Sequence, residues 1–393
     1  MSDSIVILGA ARTPMGGFQG DFASLSANDL GGAAIKAAIE RAGIAPEKVD
    51  EVLFGNCLMA GQGQAPARQA AFKGGLPAAT GAVTLSKMCG SGMEAAMLAH
   101  DQLVAGSRDV VVAGGMESMT NAPHLLPKGR SGIRIGHDRI FDHMMLDGLE
   151  DAYEPGRAMG TFGEQCADKY KFSREAQDAF ATASVTRAKA ATESGAFKEE
   201  IVPVTVKGRA GEVVISADEG PGKIKLDKIP QLKPAFRKDG TITAASSSSI
   251  NDGAAALVLA RESTAKSLGA KPIARIVGHA TFAQQPEWFT TAPVGAVKKL
   301  LAKTGWSVAD VDLWEVNEAF AVVPMALMEE LKVSHDIVNV NGGACALGHP
   351  IGASGARILV TLIHALKAKG KKKGIATLCI GGGEGTAMAI ELV

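Results

Sequence analysis

The sequence predicts an α/β protein with a duplicated, layered fold, and three observations carry that reading. Short apolar, β-branched runs alternate with Ala-rich helical patterns; the order of elements recurs some 260–270 positions later; and the stretch from about Met119 to Ser249 breaks the rhythm. Apolar runs without polar alternation belong to strands buried on both faces, as in α/β layers.

Taken in order, Ile5-Val6-Ile7-Leu8-Gly9 opens the first half and Ile273-Ala274-Arg275-Ile276-Val277-Gly278 opens the second. Val49-Asp50-Glu51-Val52-Leu53-Phe54-Gly55-Asn56 is matched by Val311-Asp312-Leu313-Trp314-Glu315-Val316-Asn317. A Gly-rich turn entering a helix follows in each copy, at Cys89 and at His349. Each helix leads to a strand with a glycine tail, Asp109–Gly115 and Gly374–Gly383. The interrupting stretch carries an amphipathic helix with Ser173 as N-cap, Glu175 in its first turn and Gly195 near its end. The expected organisation is a first half of residues 1–118 plus 250–271, an inserted loop domain of 119–249, and a second half of 272–393. Long insertions on a rigid scaffold commonly serve recognition or assembly.

With 393 residues, 46% hydrophobic but only 5% aromatic, the chain can bury a large core of small aliphatic side chains. Lys plus Arg and Asp plus Glu both number 41, which gives no electrostatic reason to expect nucleic acid or an anionic membrane as partner. Cys57, Cys89, Cys166, Cys345 and Cys379 form no CxxC pair and no metal-like spacing with the eight histidines, so neither a disulfide framework nor a metal is expected. The N-terminal run enters a strand pattern without signal-peptide features, and no segment offers the roughly 18 uncharged apolar residues of a membrane span. A reducing, cytoplasmic setting is the expectation.

Chemistry concentrates in four places. Cys89, in Lys87-Met88-Cys89-Gly90-Ser91-Gly92, stands at a helix start, where unsatisfied N–H groups can draw a thiol down from about 8.5 toward neutrality. A buried structural cysteine is the plain alternative, but Gly90 and Gly92 leave room for a substrate to approach. His349, among the glycines of Gly342-Gly343-Ala344-Cys345-Ala346-Leu347-Gly348-His349-Pro350-Ile351-Gly352, is pinned as a group that deprotonates a thiol or donates to an oxyanion must be. Cys379 ends a buried strand at Gly381-Gly382-Gly383, where backbone N–H groups are free. It reads as an acid and base at a substrate carbon, with a disulfide switch as the alternative. Asn317, in Asn317-Glu318-Ala319-Phe320, would alone be an N-cap, and Glu318 either favours a helix dipole or fixes a neighbour.

These four motifs, in this order and spacing over essentially the whole length, resemble the thiolase family. The resemblance implies an α/β/α/β/α fold and carbon–carbon bond chemistry on acyl groups carried by coenzyme A. It makes Cys89 the acyl-accepting nucleophile, His349 its base and Cys379 the proton-transfer group at the α-carbon. One oxyanion hole would come from His349 with a water held by Asn317, the other from the backbone N–H groups of Cys89 and Gly381. For coenzyme A, which is substrate and product rather than cofactor, it points to Leu149, Ser248, Ala319 and Phe320. Lys223 joins them as the choice from a basic run between Lys223 and Lys238, where a solvated surface is the alternative.

The sequence departs from the family pattern at Phe289-Thr290, where many members have Met-Gly, at Ala158-Met159-Gly160 for His-Met-Gly, and at Ser246-Ser247-Ser248-Ser249 for Asn-Ala-Ser-Gly. Phe289 puts the acyl pocket in question. The implied reaction is reversible condensation of two acetyl-CoA, with degradative thiolysis of longer or 2-methyl-branched 3-ketoacyl-CoA as the alternative. A decarboxylating ketosynthase is opposed by Cys379, and an inactive binding protein by the presence of all four catalytic side chains. The segment Ala122 to Leu149 resembles the loop that pairs dimers, so a homotetramer is expected.

Overall fold

The computed structural model describes residues 3–208 and 211–393; Met1 and Ser2 of the N-terminal run lie outside the described residues. The strands that build the site, in chain order, are β1 Ile5–Arg12, β2 Glu51–Gly55, β3 Gly81–Leu85, β4 Val110–Ser118, β5 Asn251–Arg261, β6 Ala274–Ala283, β7 Leu313–Val316, β8 Lys373–Ile380 and β9 Glu384–Leu392. The main helices are α1 Ala27–Ala42, α2 Pro66–Lys73, α3 Ser91–Val104, α4 Gly160–Tyr170, α5 Arg174–Ser194, α6 Ala292–Thr304, α7 Val322–Leu331 and α8 Ile351–Ala368.

The sheet runs β7-β8-β9-β6-β1-β5-β4-β2-β3. Its two halves meet through a short antiparallel pairing of Val6 with Arg275 and Ile7 with Ala274. Within the halves the order is the same: β1-β5-β4-β2-β3 in one, β6-β9-β8-β7 in the other, with Val338 bridging Trp314 in parallel at the place of a fifth strand. Even the irregularities repeat, since the register shifts between Ile7 and Gly9 in β1 and between Ile276 and Gly278 in β6. Gly9 is required there because a Cβ would lie 2.2 Å from the Ala38 carbonyl of α1.

Three hydrophobic clusters define five layers. Val6, Leu8, Val52, Phe54, Val112 and Val258 pack outward under α1 and α2. Trp314, Val316, Ile375, Ala387 and Ala389 pack outward under α6 and α7. The opposite faces of both half-sheets, including Ile7, Leu53, Leu257, Leu313, Leu378 and Ile390, close on α3 and α8. Those two helices therefore form the central layer, and strands covered on both sides explain the unbroken apolar runs.

Helix α8 is long and apolar enough by composition to cross a bilayer, with mean hydropathy 1.2, yet 83% of it is buried inside the protein. It contains Arg357, His364 and Lys367 and is a core helix. Where α3 and α8 cross, glycine is mandatory: a Cβ on Gly355 would sit 2.3 Å from the Met93 nitrogen, and one on Gly92 would sit 2.7 Å from the Ala356 nitrogen.

The insertion lies outside the large sheet. Helix α5 starts with Ser173 Oγ accepting from the Ala176 N–H and ends at Gly195 in the left-handed region, as its sequence predicts. Arg12 of β1 holds this segment through Glu200, at 2.5 Å, and Asp218, at 2.6 Å.

Gly355→Ala should therefore force the central helices apart, at a cost of about 1–3 kcal/mol for overpacking. A lowered thermal midpoint is expected, while Gly222→Ala, where a Cβ meets nothing within 4 Å, leaves the midpoint unchanged. Equal midpoints for the two variants would show that the crossing is not tight.

Candidate active site

Because α3 and α8 lie side by side, the residues just ahead of them become neighbours. Cys89 stands one residue before Gly90, the cap of α3. Its loop is locked by Ser91, whose Oγ accepts from the Lys87 N–H at 2.8 Å and donates to the Met88 carbonyl at 2.6 Å. Met88 is held at φ 45°, a left-handed conformation that bulky residues rarely adopt and that turns the next side chain out of the helix path.

The hairpin between β8 and β9 supplies the opposite wall. Cys379 pairs with Gly385 and Ile380 with Glu384, leaving Gly381-Gly382-Gly383 as the turn. Gly382 and Gly383 have φ of 94° and 93°, and a Cβ on Gly383 would collide with the Gln284 carbonyl. The backbone N–H groups of Gly381 and of Cys89 itself favour the ionised form of the Cys89 sulfur. An ion pair between Lys87 and Glu384 ties the two loops together.

His349 is fixed from three sides. Its backbone N–H lies 3.3 Å from both the Ser249 carbonyl and Asn251 Oδ1. Its Nδ1 is 2.6 Å from Ser354 Oγ, which donates its own proton to the Pro350 carbonyl at 2.8 Å. Ser354 must then accept from Nδ1–H, which leaves the lone pair on Nε2. Nε2 lies 3.5 Å from Asn317 Nδ2. Asn317 follows β7, its N–H donating to the Thr377 carbonyl two residues before Cys379. It is not an N-cap: α7 begins later, after Ala321.

Burial governs the protonation states. It raises the Cys89 thiol to about 11, outweighing the two N–H groups that favour a thiolate. The expectation of a thiol drawn toward neutrality is corrected here. The sulfur sits ahead of the cap and amid protein atoms, and desolvation exceeds the pull of the helix end. Burial also lowers His349 to about 3, helped by the Arg357 charge. Cys379 is raised well above its ordinary range by burial and then by the neighbouring Cys89. The resting site thus holds two neutral thiols beside a neutral imidazole.

The residues expected along coenzyme A gather on two walls. Ser248 donates its N–H to the Ala319 carbonyl at 3.0 Å, and the Phe320 ring meets Phe289 and Phe236 edge-on at 6.4 and 5.7 Å. Phe289 and Cys379 share one buried cluster, whereas Leu149 and Cys89 pack together around Ile351. A cleft of about 550 Å³ runs outward from Ser249 and Asn251 to Lys223, Lys225 and Lys228, with Ile224 and Ile229 on its sides. Lys223 lines that cleft, but its ammonium is paired with Glu219.

Sequence reasoning missed several supports. Ser354 sets the His349 tautomer, and its signal was a hydroxyl in the first turn of α8. Glu117, fully buried at the end of β4, accepts from the N–H groups of Cys57, Leu58 and Gly352 at 3.0, 3.1 and 2.9 Å, joining the two halves at the start of α8. Glu318 serves a helix other than the one that follows it: it accepts from Ser184 Oγ, Asn339 Nδ2 and the Cys345 N–H, in the first turn of the short helix Ala344–Leu347, at 2.7, 2.7 and 3.0 Å.

A neutral Cys89 has a measurable signature. Its alkylation by iodoacetamide, followed by peptide mapping, should keep accelerating through pH 9, because the thiolate fraction is still rising there. A plateau below pH 8 would mean that the sulfur is already ionised at rest.

Among known proteins, this chain matches the thiolase N-terminal domain over residues 5–263 and the thiolase C-terminal domain over residues 270–392. It is 50% identical to an acetyl-CoA acetyltransferase of Chromobacterium violaceum over 389 residues, 98% of this chain and 99% of that protein. It is 49% identical to acetyl-CoA acetyltransferase 2 of Arabidopsis thaliana, over 99% of this chain and 97% of that one. In three dimensions it superposes on the Bacillus anthracis acetyl-CoA acetyltransferase with TM-score 0.97 and 43% identity, covering 100% and 99% of the two chains. A thiolase from Ascaris suum in complex with coenzyme A gives TM-score 0.94 at 43% identity, covering 99% and 100%. Family matches across both halves, joined to a site built where the halves meet, establish that the chain belongs to the thiolase family.

Proposed function

We propose that the protein is an acetyl-CoA C-acetyltransferase, condensing two acetyl-CoA reversibly into acetoacetyl-CoA and coenzyme A. The observation that carries the reading is an imidazole held by Ser354 with its free lone pair on Nε2, 3.5 Å from Asn317 Nδ2, in a site where the Gly381 and Cys89 N–H groups favour negative charge on the Cys89 sulfur. Two backbone donors at a nucleophile are the elements of an oxyanion hole, each worth about 3 kcal/mol to a transition state.

In the first half-reaction Cys89 Sγ attacks the thioester carbonyl as its proton passes to His349 Nε2. The Sγ–C bond forms, the carbon–sulfur bond to coenzyme A breaks, and the departing thiolate takes that proton. In the second, Cys379 passes its own proton to the now neutral His349 and, as the thiolate, removes a proton from the methyl carbon of another acetyl-CoA. The resulting enolate attacks the acyl carbon, forming the carbon–carbon bond as the bond to Cys89 Sγ breaks, and the released sulfur takes back the proton held on His349. Asn317, whose Oδ1 is buried without a protein partner, can orient a water beside His349 for the enolate oxygen. Coenzyme A serves as substrate and product, and no separate cofactor enters.

We assign the pantetheine arm to the path past Leu149, Ser248, Ala319 and Phe320, and the nucleotide end to the cleft containing Lys223. Support comes from the continuity of that cleft with Ser249 and Asn251, which touch His349. Phe289, 3% exposed and edge-on to Phe162 and Phe320, narrows the acyl end and favours an acetyl group over a long chain. A homotetramer is supported by Leu126, Ile135 and Ile140, exposed at 46%, 96% and 68% beyond the short hairpin of His124–Leu125 with Phe141–Asp142. A reducing cytoplasm is supported by five free cysteines, two of them at the reaction centre.

Cys89→Ala should abolish the radiolabelled acyl-enzyme formed from acetyl-CoA; retention of label rejects the nucleophile. Cys379→Ser should still acylate while losing turnover and exchange of acetyl methyl protons with solvent, and normal exchange rejects its role. Acetoacetyl-CoA should also be cleaved faster than 2-methylacetoacetyl-CoA or 3-ketooctanoyl-CoA. A preference for 3-ketooctanoyl-CoA would replace the proposal with a degradative thiolase.

A further inference from the structure

Far from the thiols, three side chains converge where the two halves touch. His100 and Asp101 lie in the second half of α3, and His279 lies on β6. His100 Nδ1 is 3.0 Å from Asp101 Oδ1, His279 Nε2 is 3.0 Å from the same oxygen, and the two nitrogens are 3.3 Å apart. The imidazole planes are inclined at 82°, so the rings do not stack on each other.

Protons satisfy this triangle in one way: with hydrogen on both nitrogens, each donates to the ionised Asp101 Oδ1, which only accepts, and the 3.3 Å approach of the two nitrogens is then no hydrogen bond. If either nitrogen is bare, its lone pair faces the carboxylate oxygen. A single cation placed among the three atoms instead turns all three lone pairs into ligands.

The dimensions suit such an ion. Bonds of about 2.0–2.2 Å from nitrogen and oxygen to zinc place neighbouring ligand atoms about 3.0–3.5 Å apart, for right-angle to tetrahedral geometry. Two imidazoles and a carboxylate form a donor set for Zn²⁺ and related first-row dications rather than Ca²⁺ or Mg²⁺. His279 is nearly buried and fixed in β6, while the Asp101 side chain is 60% exposed, which leaves the outer face open to water ligands. Lys303, whose Nζ donates to the His279 carbonyl at 3.2 Å, is the nearby opposing charge, and Glu94 on the same helix lies on the favourable side.

We propose that His100 Nδ1, Asp101 Oδ1 and His279 Nε2 form a binding site for a divalent first-row cation, typified by Zn²⁺, that clips the first half of the chain to the second. His100 is eleven residues beyond Cys89, about 16 Å along a helix at 1.5 Å per residue, so the site is separate from the catalytic thiols. The sequence reading expected no metal, because the partners lie 178 and 179 positions apart and form no spacing motif.

The test is zinc titration of the EDTA-treated full-length protein by calorimetry, with thermal melting in parallel and cobalt as an optical probe. One Zn²⁺ per chain is expected, with a raised thermal midpoint that EDTA reverses. Cobalt should show d–d bands without thiolate charge transfer. The double variant Asp101→Asn/His279→Gln should bind at least about 10–100-fold more weakly, the cost of losing even an outer partner, and should keep its metal-free melting point and turnover. Failure of the wild-type protein to bind stoichiometrically, undiminished binding by the double variant, or a cobalt–thiolate band would each overturn the proposal.

Discussion

Everything at the reaction centre follows from burying two helices back to back between two half-sheets. A helix covered on all sides must present small residues wherever it meets another helix, and α3 and α8 do so through Gly92, Gly352 and Gly355. Gly115 extends the constraint to the sheet, since a Cβ there would fall 2.0 Å from the Gly352 carbonyl. This close contact aligns the starts of the helices, and the duplicated topology assigns Cys89 to one start and His349 to the other. The low aromatic content has the same origin, for a thin central layer has space for Ala, Met and Leu but little for rings.

Such a core buries charge as well as hydrocarbon. Arg12 is fully covered and answered by Glu200 and Asp218, an arrangement that offsets the desolvation of all three groups through short, charge-assisted hydrogen bonds. Arg357 in α8 is less well matched, its Nη1 lying 3.6 Å from Glu315 Oε2, and burial raises that carboxyl to about 8 despite the cation. Thr361 donates to the same Glu200 oxygen as Arg12, at 3.2 Å. The inserted segment is thereby joined to β1 and α8 through polar groups that cannot be removed singly without leaving a buried charge behind.

What was legible in the sequence was whatever burial writes locally. Strands covered on both faces leave unbroken apolar runs, and the duplication left matching runs at constant offset. Glycines at helix starts marked Cys89 and His349, and the Asn317 and Cys379 motifs supplied the remaining members. Long-range partnerships were illegible: Glu318 finds Ser184 across 134 positions, and His279 finds Asp101 across 178. The thiol pKa was misread for a related reason, since a helix start is visible in the chain whereas the desolvation that opposes it depends on atoms contributed by β8 and β9. Helix α8 shows the converse, being a span by composition and a core element by surroundings.

Neutrality at rest is itself a functional property of this geometry. A thiolate–imidazolium pair in the central layer would have to be solvated by protein alone, and Arg357 of α8, eight residues after His349, adds repulsion against a protonated His349. In the proposed reaction the proton leaves Cys89 as a thioester carbonyl comes to lie against the Gly381 and Cys89 N–H groups and can receive the negative charge. Those donors belong to fixed backbone at the nucleophile, so in the proposal their stabilisation is available without reorganisation at the moment of attack. Between turnovers the same neutrality suppresses thiolate chemistry with oxidants and stray electrophiles. In that proposal, the coupling of ionisation to substrate occupancy is a consequence of where the two helices begin.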